Sequence, residues 1–246
     1  MIDLKSYASR TDKGPYLQIN EDNVEVDLVN KLYMILDGFG GSSVGDKAVY
    51  LVIDTIKKFY TRIAGDPDAT LPFYYSPKYL IEGNALINAM EYAHFLLKKE
   101  NKDKAMDSRG GASCIAVSQA ENILTLASTG NCLGLIYSRG SMRIISQSDN
   151  FELVSGDFYD KEFVTAPASG FGLFNELHLN IAEVRVNEGD RILLLSDGVY
   201  ARVDHQEIKD IILSEGNKSS DKIDMLFELA NKRGNMDNQS ALLLNF

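Results

Sequence analysis

Residues 24–29 alternate apolar and polar side chains as VEVDLV, and residues 31–36 follow as KLYMIL. Alternation with period two buries one face of a strand, so the pair predicts two neighbouring strands joined by a tight turn at Asn30. From Gly45 to Ile63 the period changes. Ala48, Val49, Val52, Ile53, Ile56, Phe59, Tyr60 and Ile63 fall on one helical face, and Lys47, Asp54, Lys57, Lys58 and Arg62 on the other. Pro67, Pro72 and Pro77 mark residues 64–77 as a loop. A second long helix is predicted over 77–99, with Leu80, Leu86, Ile87, Met90, Ala93, Phe95 and Leu97 as its core positions. Short β-rich runs then follow at 112–117, 123–128, 133–137 and 142–145. Residues 147–175, rich in Gly, Ser, Asp and Phe, carry neither period and read as a surface excursion. Strands are predicted again at 176–186 and 191–196, helices at 204–214 and 220–233, and a last strand at 240–246.

Helix pairs thus lie early and late around strands that are mostly joined by short turns. Short connections force antiparallel pairing. The pattern predicts an α+β layered sandwich, with antiparallel sheets inside and helix pairs outside. No Pro/Gly/Ser-rich linker divides the 246 residues, so residues 1–246 read as a single domain. The net charge of −10 argues against a nucleic-acid partner, which needs a basic surface. No apolar run is long enough to span a membrane, and the N-terminus has no signal-peptide core, so a soluble cytoplasmic protein is expected. Cys114 and Cys132 lack the paired spacing of a zinc site and read as buried free thiols.

Four aspartates share one kind of position. Asp22 precedes the strand at 24, Asp37 follows KLYMIL, Asp197 follows RILLLS, and Asp237 precedes SALLLNF. A strand end gives a short carboxylate a rigid base, and hard divalent cations want oxygen ligands held that way. Two ions about 3.5–4 Å apart can clamp a phosphate and activate water. Each aspartate taken alone has an ordinary use in turns and helix caps. Gly38 and Gly198 follow two of them, which lets the backbone turn sharply there. The strand–glycine–helix layout at 37–43 also suits a dinucleotide, although Ser43 stands at the sixth position of the run and Asp37 would repel a pyrophosphate. His94, His178 and His205 have no serine in a nucleophile elbow to accompany them.

In chain order the segments Asn20-Glu21-Asp22-Asn23, Asp37-Gly38-Phe39-Gly40-Gly41, Gly110-Gly111-Ala112-Ser113, Ser128-Thr129-Gly130-Asn131, Ser196-Asp197-Gly198-Val199 and Asp237-Asn238 resemble the motifs of the metal-dependent protein phosphatases of type 2C. The resemblance runs over nearly the whole chain. It implies a four-layer αββα sandwich, two antiparallel sheets flanked by helix pairs. It also implies hydrolysis of phosphoserine and phosphothreonine by a metal-bridging water, without a covalent phosphoenzyme. Carried over by position, two Mg or Mn ions are implied. Asp37 would bridge them, the Gly38 carbonyl would ligate one, and Asp197 and Asp237 would hold the other. Asp22 would act through metal-bound water with Glu21 beside it, and Asn238 would orient a ligand or the substrate. The partner implied is a phosphorylated protein, with a Ser/Thr kinase working in opposition.

Three positions depart from the family's pattern. Leu17 stands where an arginine usually grips the substrate phosphate, with Arg10, Lys13 and Arg109 as nearby candidates to replace it. Asn131 replaces an aspartate, and Ala201 an acid, that favour a third ion, so a third ion is expected to be weak or absent. The excursion at 147–175 corresponds to a flap, and Phe151, Phe158, Phe163, Phe171 and Phe174 could pack it down or meet a partner. An active phosphatase is the reading these residues favour. A regulatory pseudophosphatase that binds a phosphoprotein or kinase with little turnover is the alternative, motivated by Leu17, Asn131 and Ala201.

Overall fold

A computed structural model describes residues 2–40, 44–64, 66, 70–151 and 165–246. The strands are β1 Ser6–Asp12, β2 Asn23–Asp27, β3 Leu32–Gly40, β4 Gly110–Ala120, β5 Ile123–Thr129, β6 Leu133–Ser138, β7 Ser141–Ser146, β8 Asn180–Arg185, β9 Arg191–Leu195 and β10 Gln239–Asn245. The α-helices are α1 Gly45–Ile63, α2 Ile81–Asn101, α3 Asp197–Tyr200, α4 His205–Leu213 and α5 Ser219–Lys232. One sheet has the order β1-β10-β9-β6-β7 and the other β2-β3-β4-β5-β8. Every pairing is antiparallel.

Side-chain parity along the central strands sets the layers. Leu32, Met34 and Leu36 of β3 pack with Ala112, Cys114 and Ala116 of β4 under α1 and α2. The alternate residues Tyr33, Ile35, Ile115 and Val117 face Ile192, Leu194, Leu242 and Leu244 of the other sheet. Leu193, Leu195, Ala241 and Leu243 point outward again, against Val199, Ile208, Ile212, Leu226 and Phe227 of the late helices. Strands buried on both faces read as near-continuous apolar runs, as RILLL and SALLLNF do. The result is the expected αββα order.

Several details depart from expectation. Strand β1 has no apolar signal because it is a mostly exposed edge strand; it pairs along β10 from Ser6↔Asn245 to Asp12↔Gln239. Helix α2 starts at Ile81 rather than 77, and Leu80 and Phe95 are exposed instead of core. Its buried face carries Asn84, Asn88, His94 and Asn101. Asn88 Oδ1 accepts from the Phe73 and Tyr74 N–H groups at 2.8 and 3.1 Å, so helix amides satisfy the backbone of the preceding loop. The strand expected at 176–186 is confined to β8, and His178 precedes it. Asp37 lies within β3 rather than after it, paired with Ser113.

The excursion is also less superficial than its composition suggests. Phe171 is fully buried in the α1–α2 core and exchanges backbone hydrogen bonds with Ala112 at 2.8 and 3.3 Å. Phe151 and Phe174 are exposed, while Phe158 and Phe163 lie outside the described residues. The C-terminal end of the excursion is therefore clamped to β4, next to the site strands. Phe171→Ala removes a core aromatic and is expected to cost about 3–5 kcal/mol. Urea unfolding checks this, with a lower midpoint at an unchanged m-value.

Candidate metal centre

The four aspartates arrive from both sheets. Asp22 immediately precedes β2 and Asp37 belongs to β3, in one sheet; Asp197 follows β9 and Asp237 precedes β10, in the other. Backbone packing leaves little slack between them. Ser196 and Ser240 are joined by an N–H to carbonyl bond of 3.1 Å, and the Ser240 N–H donates to Ser196 Oγ at 2.8 Å. A Cβ on Gly198 would overlap the Asn238 carbonyl, so only glycine lets the two strand ends meet. Gly38 is hemmed in likewise: its N–H donates to the Glu21 carbonyl at 3.2 Å, and a Cβ would lie 2.6 Å from that oxygen.

The supporting residues act as struts. The Gly45 N–H, at the start of α1, donates to Glu21 Oε1 at 3.1 Å. Asn238 Oδ1 accepts from the Glu21 N–H at 2.9 Å, and its Nδ2 donates to the Lys13 and Ile19 carbonyls, both at 3.0 Å. The Asn238 amide, expected to orient a ligand or the substrate, holds the 13–21 segment against the acids through these bonds.

Electrostatics join the four acids into one unit. Asp22 and Asp197 are 7% and 5% exposed, Asp37 is half-buried, and Asp237 stands at the open rim. Burial, and then the charges of Asp197, Asp22 and Asp237, push the Asp37 carboxyl well above its usual range. Asp22 is raised the same way, first by burial and then by Asp197 and Asp237, against the opposing hydroxyls of Ser196 and Ser240. Asp197 is pushed up to about 7 by burial and by Asp237. Asp237 is raised by desolvation, countered by the Asn238 N–H. Asp197 also heads the charges that raise Asp37, and two carboxyls so placed cannot both stay ionised when no cation is near.

This arrangement fits divalent cations. Asp22 Oδ2 is buried with no partner, and among the described residues no lysine or arginine forms an ion pair with any of the four acids. Among the described residues, no three His, Cys, Asp or Glu side chains close on one point. Mg keeps several waters and takes one or two carboxylates, so a closed cage of protein ligands is not required.

Asn131 enters the cluster as a donor. Its Nδ2 donates to Asp197 Oδ2 at 2.9 Å and to the Thr165 carbonyl at 2.7 Å, tying the carboxylate to the end of the excursion. Both neighbours are acceptors, which settles the amide's orientation. A cavity of about 210 Å³ adjoins it, lined by Thr165, Asp197, Ala201, Arg202, Met236 and Asp237 among others. A larger cavity of about 410 Å³, between β5, β8 and the segment after β7, contains none of the four acids. Of the expected substitutes for Leu17, Arg10 is committed to Asp224 at 2.5 Å and Asp12 at 3.1 Å, and Arg109 Nε donates to the Lys104 carbonyl. Lys13 and Leu17 are exposed. Sequence reasoning passed over Arg202 and Thr165; for Arg202 the one signal is its place five residues after Asp197.

No family model matches the chain. It is 25% identical over 257 aligned positions to the serine/threonine phosphatase Stp of Listeria welshimeri, covering 96% of this chain and 93% of that one. Among solved structures it resembles the PPM Ser-Thr phosphatase MsPP of Mycobacterium smegmatis, in complex with cacodylate, with a TM-score of 0.79, 21% identity and full coverage of both chains. It also resembles the catalytic domain of the serine/threonine phosphatase PstP, in complex with two manganese ions, with a TM-score of 0.78, 22% identity and coverage of 98% and 97%. The fold is the one these phosphatases share, and the four acids lie at its strand ends. The chain is thus similar over nearly its whole length to serine/threonine phosphatases of the PPM type.

The raised carboxyl pKa values give the ion-free protein a characteristic pH dependence. Folded-state values above the unfolded 3.8 mean that the native state binds more protons between pH 4 and about 7. Stability is therefore lost as pH rises through that window. With chelator present, the melting temperature is expected to be higher at pH 5.5 than at pH 7.5. Mn should abolish most of the difference, and Asp197→Asn should flatten it. A melting temperature that rises with pH in chelator would contradict the electrostatics described above.

Proposed function

We propose that residues 1–246 act as one type 2C domain that hydrolyses phosphoserine and phosphothreonine on protein substrates, using two Mg or Mn ions. The observation that carries this reading is the mutual electrostatic influence of four carboxylates, two buried, one half-buried and one at the rim, with no ion-paired basic partner among the described residues, at strand ends whose motifs follow the order of the family's. Asp37, placed among Asp22, Asp197 and Asp237, suits a ligand shared between ions, with the Gly38 carbonyl beside it. Asp197 and Asp237 suit the second ion. Asp22, buried behind them with an unpartnered oxygen, suits a role through water. Glu21 and Asn238 hold the loop that carries Asp22. Bound divalent ions would supply Lewis-acid activation of water and neutralise charge on the phosphate.

The chain's own groups set the rest of the chemistry. Cys114 and Cys132 are buried, and burial pushes both thiols up, so neither offers a thiolate nucleophile. Asn131 already donates to Asp197 Oδ2, and Ala201 brings no side-chain oxygen to the same cavity, which supports two ions rather than three. A phosphorylated protein, made by a Ser/Thr kinase, is the partner this chemistry requires. Among the described residues no helix is long and apolar enough to cross a membrane, and we place the activity in the cytoplasm. The pseudophosphatase reading is not favoured, because every acid of the two-ion set is present.

Asp37→Asn and Asp237→Asn are each expected to lower turnover of a phosphothreonine peptide by about 10²-fold or more, the scale of losing one preorganised electrostatic contact. Chelator should abolish turnover and Mn restore it. Unchanged turnover in either variant would remove the assigned mechanism. Calorimetric titration with Mn should reach two equivalents, and a third tight equivalent would overturn the two-ion count.

A further inference from the structure

The site as read so far holds ions but has no group to grip a phosphate, because Leu17 is apolar and Arg10 and Arg109 are engaged elsewhere. We propose that Arg202 is that group, and that the cavity beside Asp197 and Asp237 is the subsite for the substrate's phosphoryl oxygens. The proposal deepens the phosphatase reading and rests on it.

Arg202 follows α3 and lines the cavity together with both rim aspartates. Its backbone is pinned: the N–H donates to the Val199 carbonyl at 3.2 Å, and its carbonyl accepts from Arg233 Nη1 at 3.0 Å. Arg233 is itself held by Glu207. The half-buried side chain, by contrast, has no hydrogen-bond or ion-pair partner among the described residues. It pairs with neither Asp197 nor Asp237. The arginines 10, 109, 191 and 233 all have such partners.

The neighbouring residues keep its charge available. Ala201, on the same cavity wall, carries no acid that would neutralise it. Asn131 turns an N–H toward Asp197 where a carboxylate would add negative charge. A guanidinium presents two parallel N–H groups to two oxygens of one phosphate, and a pinned backbone lowers the entropy lost in doing so. Lys13 is the competitor, but it is absent from the cavity wall and lacks the forked donor geometry.

The test compares wild type, Arg202→Ala, Arg202→Lys and Lys13→Ala, each saturated with Mn, on p-nitrophenyl phosphate and on a phosphothreonine peptide. Arg202→Ala is expected to raise KM for both substrates about 10- to 100-fold, the scale of a charged hydrogen bond. Calorimetry should find inorganic phosphate binding to the Mn-loaded protein weakened by a similar factor. Arg202→Lys should fall between, and Mn affinity and melting temperature should not change. An effect on the peptide alone would place Arg202 on the polypeptide and overturn the phosphate assignment. So would no effect, a loss transferred to Lys13→Ala, or a loss of Mn binding. Wild type without Mn-dependent turnover would sink the phosphatase reading by itself, and the phosphate-binding comparison would still decide the role of Arg202.

Discussion

Mutual repulsion among Asp22, Asp37, Asp197 and Asp237 is the constraint on which the site depends. Four carboxylates held together and partly desolvated cannot all be charged without a compensating cation. Among the described residues no basic side chain forms an ion pair with these acids: the ion pairs lie elsewhere and are largely exposed. Relief comes from protons or from bound ions. Which of the two prevails sets the charge of the cavity, the stability at neutral pH and the ability to receive a phosphate.

The sandwich is what makes the repulsion sustainable. Asp37 is carried on a strand whose neighbours Tyr33 and Ile35 pack into the core between the sheets, and Asp197 and Asp237 flank strands with Leu194 and Leu242 in that same core. Apolar burial on both faces of β3, β9 and β10 supplies the free energy that opposes separation of the acids. The loop bearing Asp22 has little apolar anchoring and is instead bound by amides, through Asn238, Asn20 and the Glu21 contact to α1. One pair of interactions, hydrophobic for three acids and polar for the fourth, thus builds the centre.

This division explains what could be read from sequence. Apolar periodicity revealed the strands carrying Asp37, Asp197 and Asp237 and the whole of α1, because each buries side chains at a regular spacing. It missed β1, whose backbone pairing with β10 leaves most side chains in water, and it assigned Leu80 and Phe95 to the core of a helix that buries asparagines instead. The acids were legible because strand ends expose them in the chain as well as in the fold. The donors around them were not. Asn131 meets Asp197 across 66 residues, and nothing in the local sequence of either signals that contact. Phe171 looked like a flap residue because its burial is decided by Ala112 and by the helices above, not by its neighbours in sequence.

The charge balance of the proposed two-ion state follows from these contacts. Four carboxylates and two divalent ions cancel, so the site alone gives an incoming phosphate dianion no net long-range attraction. An added acid at 131 or 201 would tip the same cavity toward a further cation. An amide and an alanine leave it neutral, and Arg202 makes it positive. In the proposed state, the neutral side chains at 131 and 201 and the guanidinium of Arg202 thus act in the same direction on the charge of one cavity. With Leu17 apolar, the positive charge that the proposal offers a phosphate lies at the turn after α3, where the backbone is braced by Arg233 and Glu207.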